Sequence, residues 1–167
     1  IVEVIMEEEG RQSIDLVKVV EKVCESLQNE YPEAEISMRL PAIAIDYPLP
    51  QIYSAISELV ENAVIHNDNE TPKVEVYIET VEKEGTFTVG VADNGSGIPE
   101  NEVEILTGER EIDPLYHGSG LGLWLVNWIV KRSMGEISFE EKEPRGTVVR
   151  MCLRDEKTEH HYTDDYS

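Results

Sequence analysis

The sequence predicts an α/β (α+β) two-layer sandwich, in which a mixed, largely antiparallel sheet carries three main helices on one face. Three observations lead there. Three apolar stripes recur at helical spacing, shorter stretches alternate with period two, and the two kinds of segment come in mixed order instead of strict alternation. At 167 residues the chain is one domain's worth, enough to bury a single two-layer core.

The elements follow in order. A short strand is expected around Arg11 to Ile14, then a helix in which Ile14, Val17, Val20, Val23, Cys24 and Leu27 repeat at helical period, with Asp15 as its cap. Ala34 to Leu40 alternates Ile36, Met38 and Leu40 against polar neighbours, and Ile43 to Asp46 is a second short strand. Pro48 and Pro50 open a second helix, where a missing N–H costs nothing, and Ile52, Ala55, Ile56, Leu59 and Ala63 form its core stripe. Lys73 to Val81 and Thr86 to Ala92 alternate with period two across Lys83-Glu84-Gly85, a hairpin that ends at Asp93. A glycine-containing turn and a short helix come next, followed by a polar segment from Thr107 to His117 without periodicity. A third apolar helix from Gly120 to Met134 and a last hairpin, Ile137 to Phe139 with Thr147 to Leu153, complete the sheet. Residues 1–10 read as a linker or the end of a preceding helical domain, 11–154 as the domain, and 155–167 as a polar, disordered tail. The sheet face away from the helices must be at least partly polar.

Composition narrows the function classes. The formal net charge is −21, and a surface that acidic repels phosphate backbones, so nucleic acid is excluded as a partner. The acidic residues are scattered along the chain and resemble those of proteins from salt-loving cytoplasms, where concentrated salt screens self-repulsion. No apolar run is long enough to cross a bilayer, and the start shows no basic patch before an apolar stretch, so a cytoplasmic domain without membrane contact is expected. The absence of an initial Met suggests an excised fragment. Cys24 and Cys152 are too far apart for a paired metal motif and read as reduced thiols.

Three blocks carry the chemistry: ELVENAVIH from Glu58 to His66, DNGSGIP from Asp93 to Pro99, and HGSGLGL from His117 to Leu123. On the second helix Glu58, Asn62 and His66 are spaced i, i+4, i+8, a polar row beside the apolar stripe that faces a cleft. Asp93 ends a strand; an ionised carboxylate only accepts hydrogen bonds and therefore selects an amino donor. Gly118, Ser119, Gly120, Leu121 and Gly122 lead into a helix whose free N–H groups bind anions without a basic side chain.

In this order the blocks resemble the N, G1 and G2 boxes of the Bergerat-fold family, which holds histidine kinases, heat-shock-90-type chaperones, type II topoisomerases and mismatch-repair ATPases. The resemblance covers Arg11 to Arg154. It implies ATP and Mg2+ as cofactors, with Asn62 holding the metal against the triphosphate and Glu58 ordering the metal or its waters. It also implies that Asp93 accepts from the adenine amino group, that Gly95 and Gly97 let the backbone pass close to the base with Ile98 as apolar wall, that Thr147 reaches adenine through water, and that the glycine-rich third block holds the phosphates. Histidine kinases commonly carry Lys at the position of Ile65 and an aromatic residue at that of His66. Here His66 is left to stack on the base, and Arg110, in the segment that corresponds to the ATP lid, is the candidate for meeting phosphate charge. The compact lid is similar to that of haloarchaeal sensor kinases.

The function implied is the catalytic domain of a sensor histidine kinase, which passes the ATP γ-phosphate to a histidine on a separate dimerisation domain and thereby, indirectly, to a response regulator. A regulatory pseudokinase that binds nucleotide without transfer is the alternative. A topoisomerase- or chaperone-type machine needs a transducer domain after the site. Trp124 and Trp128, one helical turn apart, are read as core, with a docking patch as the other possibility.

Overall fold

The computed structural model describes residues 13–81, 85–97, 100, 103–104 and 120–154. Within them lie β1 (Ile14–Asp15), α1 (Leu16–Glu30), β2 (Glu35–Arg39), β3 (Asp46–Tyr47), α2 (Ile52–Ile65), β4 (Lys73–Val81), β5 (Thr86–Asp93), α3 (Gly120–Arg132), β6 (Glu136–Glu141) and β7 (Thr147–Arg154). Five strands form one sheet in the order β2-β4-β5-β7-β6. The β2–β4 pair is parallel and the other pairs antiparallel, so the mixed, largely antiparallel expectation holds.

Period two decides which side chains meet the helices. Val74, Val76 and Ile78 of β4, Phe87, Val89 and Val91 of β5, and Val149, Met151 and Leu153 of β7 share one core with the buried stripes of α1, α2 and α3. Each such fully buried aliphatic side chain contributes roughly 1.5–3 kcal/mol relative to exposure. The α1 stripe differs from the sequence expectation in part: Leu16 and Val19 are buried, whereas Ile14 and Val17 are half-buried. The α2 stripe includes Val60 and Val64, while Ala63 lies at its margin. Asp15 caps α1 as expected, its carboxylate accepting the Val17 N–H at 3.1 Å and also the Ile45 N–H at 3.2 Å.

Two short strands depart from the expected single sheet. β1 pairs antiparallel with β3, Ile14 opposite Tyr47, as a separate ribbon. The second strand sits at Asp46–Tyr47, one step past the expected run, because Tyr47 is the residue that buries; its ring meets Phe87 edge-on at 5.9 Å, and its hydroxyl is hydrogen-bonded to Ser133. Ile43, counted in that run, is exposed. Arg11, expected in the first strand, lies outside the described residues.

The outer sheet face is partly polar. Tyr77 is buried there with Ala92 and Val148, its ring lying over Gly90 where any Cβ would collide. The Arg39 guanidinium stacks 4.8 Å from the ring centroid, and Arg150 donates to the Tyr77 hydroxyl at 3.0 Å while pairing with Glu140 at 2.7 Å.

The exposure of Trp124, at 48%, corrects its reading as core. Leu123, Val126, Ile129 and Val130 fill the inward side of α3, which turns residues at 124 and 128 toward the helix margin. Trp128 is half-buried against the core, under the Arg132 guanidinium at 5.2 Å. Cys24 is buried, which pushes its thiol up to about 11, and Cys152 is half-buried on the outer face.

Candidate functional site

At one end of the sheet β5 stops at Asp93, opposite Thr147 at the start of β7 and Val74 near the start of β4. Asp93 follows Val89 and Val91 on the helix-covered face. Its carboxylate accepts the Gly95 N–H at 2.8 Å. Burial raises its pKa above the ordinary 3.8, opposed by backbone N–H donors of Gly95 and Thr147 and by the charge of Lys142. Beside it, the Thr147 hydroxyl is buried without a hydrogen-bond partner. A buried orphan hydroxyl costs free energy unless something completes it, so the pairing of Asp93 with Thr147 fits a polar ligand that offers hydrogen-bonding groups to both.

Glycine geometry shapes this end. Gly97 has φ +106°, and a Cβ there would come within 3.9 Å of the Thr147 hydroxyl. Gly146 has φ +123°, and its Cβ would overlap the Asp93 carbonyl, so the β6–β7 turn crosses the end of β5 at backbone contact. The loop after α2 is tied to the same point. Asn67 Nδ2 donates to Asn94 Oδ1 at 2.7 Å, Asn69 Nδ2 donates to the Asn94 carbonyl at 2.6 Å, and the Lys73 N–H donates to Asn94 Oδ1 at 2.9 Å. Asp68 pairs with Arg145 of the β6–β7 turn, which lowers the Asp68 pKa.

The other half of the site stands on α2. Glu58 and Asn62 are half-buried one turn apart, and Asn62 Nδ2 donates to Glu58 Oε1 at 3.3 Å. The Glu58 carboxyl lies against Gly122 in the first turn of α3, where a Cβ would overlap it. With its amide nitrogen turned to Glu58, Asn62 offers its oxygen as the ligand atom for a hard cation. Among the described residues no group of three His, Cys, Asp or Glu side chains is placed to hold a metal. A single neutral oxygen beside one carboxylate instead suits Mg2+, which keeps waters and draws its other ligands from phosphates.

The structure thus brings together Glu58, Asn62 and Gly122 on one side and Asp93, Gly95, Gly97 and Thr147 on the other. Gly95 is closed in by its neighbours, a Cβ there standing 3.2 Å from Asp93 Oδ1 and 3.6 Å from Asn67 Cα. Gly120 opens α3 and Leu121 follows it. His66 closes α2 as its exposed C-cap, its backbone N–H still bonded to the Asn62 carbonyl at 3.0 Å, which keeps it at the end of the row of Glu58 and Asn62. Ile98, Arg110, Gly118 and Ser119 lie outside the described residues. Sequence reasoning missed Asn67, Asn69 and Lys142. The Asn-Asp-Asn run after α2 was the available signal, since such side chains bond backbone in loops.

An open groove of about 430 Å3 adjoins Asp93 on the side of β2, lined among others by Gln28, Ile36, Lys73, Asn94 and Lys142. Glu58, Asn62, Gly122 and Thr147 do not line it, so the groove is a neighbour of the candidate site.

Comparison with known proteins bears on the fold and the family. The sensor-type histidine kinase PrrB of Mycobacterium leprae is 28% identical over 144 residues, 84% of this chain and 31% of the relative, so the chain spans about a third of that protein. The mycobacterial sensor histidine kinase MprB superposes with a TM-score of 0.69 at 20% identity, over 85% of this chain and 95% of that one. Full-length ShkA, solved in complex with AMPPNP, gives 0.69 at 20% identity over 85% of this chain and 30% of that one. The family model of the histidine kinase-, DNA gyrase B- and HSP90-like ATPases matches residues 49–157, and the chain belongs to that family.

Proposed function

We propose that the chain is the ATP-binding catalytic domain of a two-component sensor histidine kinase, transferring the ATP γ-phosphate to a histidine on a separate dimerisation domain. The observation that carries the reading is a strand-terminal Asp93 beside an orphan buried hydroxyl on Thr147, tied through the Asn94–Asn67 bond to the end of α2, the helix whose Glu58–Asn62 pair is set against the start of α3. Asp93 would accept from the adenine amino group and oppose the carbonyl of guanine. Asn62, with Glu58 behind it, would hold Mg2+, which supplies neutralisation of the triphosphate charge. Amides at the start of α3 would hold the phosphates, a solution suited to so acidic a chain.

Catalysis is then positioning and charge neutralisation. The acceptor imidazole nitrogen forms a P–N bond as the bond from the γ-phosphorus to the β–γ bridging oxygen breaks, and ADP leaves. Relay to a response regulator follows from the dimerisation domain, and the parent protein would hold this domain in the cytoplasm. The test is incubation with γ-labelled ATP in molar potassium chloride, as the acidic surface calls for, with and without the parent's dimerisation domain. The chain alone should stay unlabelled, and the partner should gain an acid-labile, base-stable label. ATP binding with no label on that partner would move the reading to a regulatory pseudokinase; strong labelling of the chain alone would overturn transfer to a separate domain.

A further inference from the structure

The first turn of α3 meets the middle of α2 where Gly122 faces the Glu58 carboxyl. A Cβ at 122 would overlap Glu58 Cδ and both carboxylate oxygens. No backbone atom is among those neighbours. The group that must yield is the far end of a flexible side chain, so a methyl at 122 leaves both helices where they are and drives the carboxylate out. This contrasts with Gly146, where the neighbour is the Asp93 carbonyl and cannot move without the strand.

The consequence runs one residue further. Glu58 Oε1 accepts from Asn62 Nδ2, and that bond selects which end of the Asn62 amide faces Glu58. Without it the amide is released to rotate, and half its orientations present an NH2 group where a cation needs an oxygen. We infer that Gly122 is a positioning residue for the metal end of the site: by having no side chain it seats the Glu58 carboxylate, which in turn orients the Asn62 oxygen. This rests on the proposed nucleotide function and differs from the phosphate-contact role that the glycine-rich block suggests for Gly122. A backbone that merely approaches phosphate would need glycine whatever stands at 58.

The experiment uses the 167-residue chain as wild type and as Gly122→Ala, Glu58→Ala, Gly122→Ala/Glu58→Ala and Gly122→Ala/Glu58→Asp. Two readouts are taken: the Asn62 side-chain amide signal by NMR without nucleotide, and calorimetric affinity for ATP with Mg2+ and for ADP without metal. In Gly122→Ala the amide signal should move toward its position in Glu58→Ala. Mg-ATP affinity should fall about tenfold in each single variant, with metal-free ADP changed by less than about twofold and the double variant no weaker than Glu58→Ala. Glu58→Asp, one methylene shorter, should restore much of the loss in Gly122→Ala. An unmoved amide signal, additive losses, or an equal loss of metal-free ADP affinity would overturn the proposal and return Gly122 to phosphate contact. If Gly122→Ala fails to fold and Gly122→Ala/Glu58→Asp folds, the collision itself is demonstrated; if neither folds, the backbone requires the glycine and the proposal falls. Should wild type bind no nucleotide, the functional reading fails while the amide signal still decides the positioning.

Discussion

The two ends of the site are built from different materials. At the end proposed for adenine, Asp93 closes a strand paired on both sides, its carboxylate is held by main-chain N–H groups, and the turn at Gly146 crosses it at backbone contact. At the end proposed for the metal, the Asn62–Glu58 bond joins two rotatable side chains on one helix, packed against a glycine of another. The first arrangement is set by the sheet and changes only if the fold changes. The second depends on rotamers that substitution can shift without disturbing either helix. Base selection and metal positioning should therefore fail in different ways.

The largest effect is expected where backbone meets backbone. Gly146→Val imposes a side chain at φ +123° and against the Asp93 carbonyl, and should lower stability by about 2–4 kcal/mol. Denaturant melts measure it, and a loss under about 0.5 kcal/mol would mean that the adenine end yields as easily as the metal end. Next, Asp93→Asn should cut ATP affinity by about 10- to 100-fold, since a hydrogen bond to a charged acceptor is lost, and should erase the preference over GTP. Equal affinity of wild type for ATP and GTP would remove Asp93 from base selection.

Asn62→Ala should lower Mg-ATP affinity by about tenfold, with metal-free ADP affinity and the melting midpoint nearly unchanged. A matching loss of ADP affinity would blur the division between the two ends. The smallest effect is in pH. Burial raises the Asp93 pKa above 3.8, so its protonated form favours the fold: that stabilisation is complete below the unfolded value and is lost as pH rises through the raised one. Binding runs the other way, because adenine recognition needs the acceptor, and ATP affinity should fall as pH drops toward the carboxylate range. Calorimetry against pH should show this component in wild type and not in Asp93→Asn; identical profiles would assign the pH response elsewhere.

Much of the fold was legible because its signals are local. Period-two runs such as Val74, Val76 and Ile78, the helical stripe of α2 and the cap at Asp15 each need only neighbouring residues to be read. The Glu58–Asn62 pair was legible for the same reason, since four residues is one helical turn. Trp124 was misread because helical periodicity does not say how wide a stripe its neighbours will cover.

By itself, the sequence determined which segments are helix and strand, that Asp93 ends a strand beside a glycine turn, and that the surface is strongly acidic. Only tertiary structure decided that Thr147 stands opposite Asp93, that Gly146 crosses the end of β5, that Asn94 ties the loop after α2 to the sheet, and that Gly122 faces Glu58. The physical reason is separation along the chain. Periodicity and capping energies act within a few residues, whereas these contacts join residues far apart in sequence and exist only once the sheet order and the packing of α2 against α3 have fixed which surfaces touch.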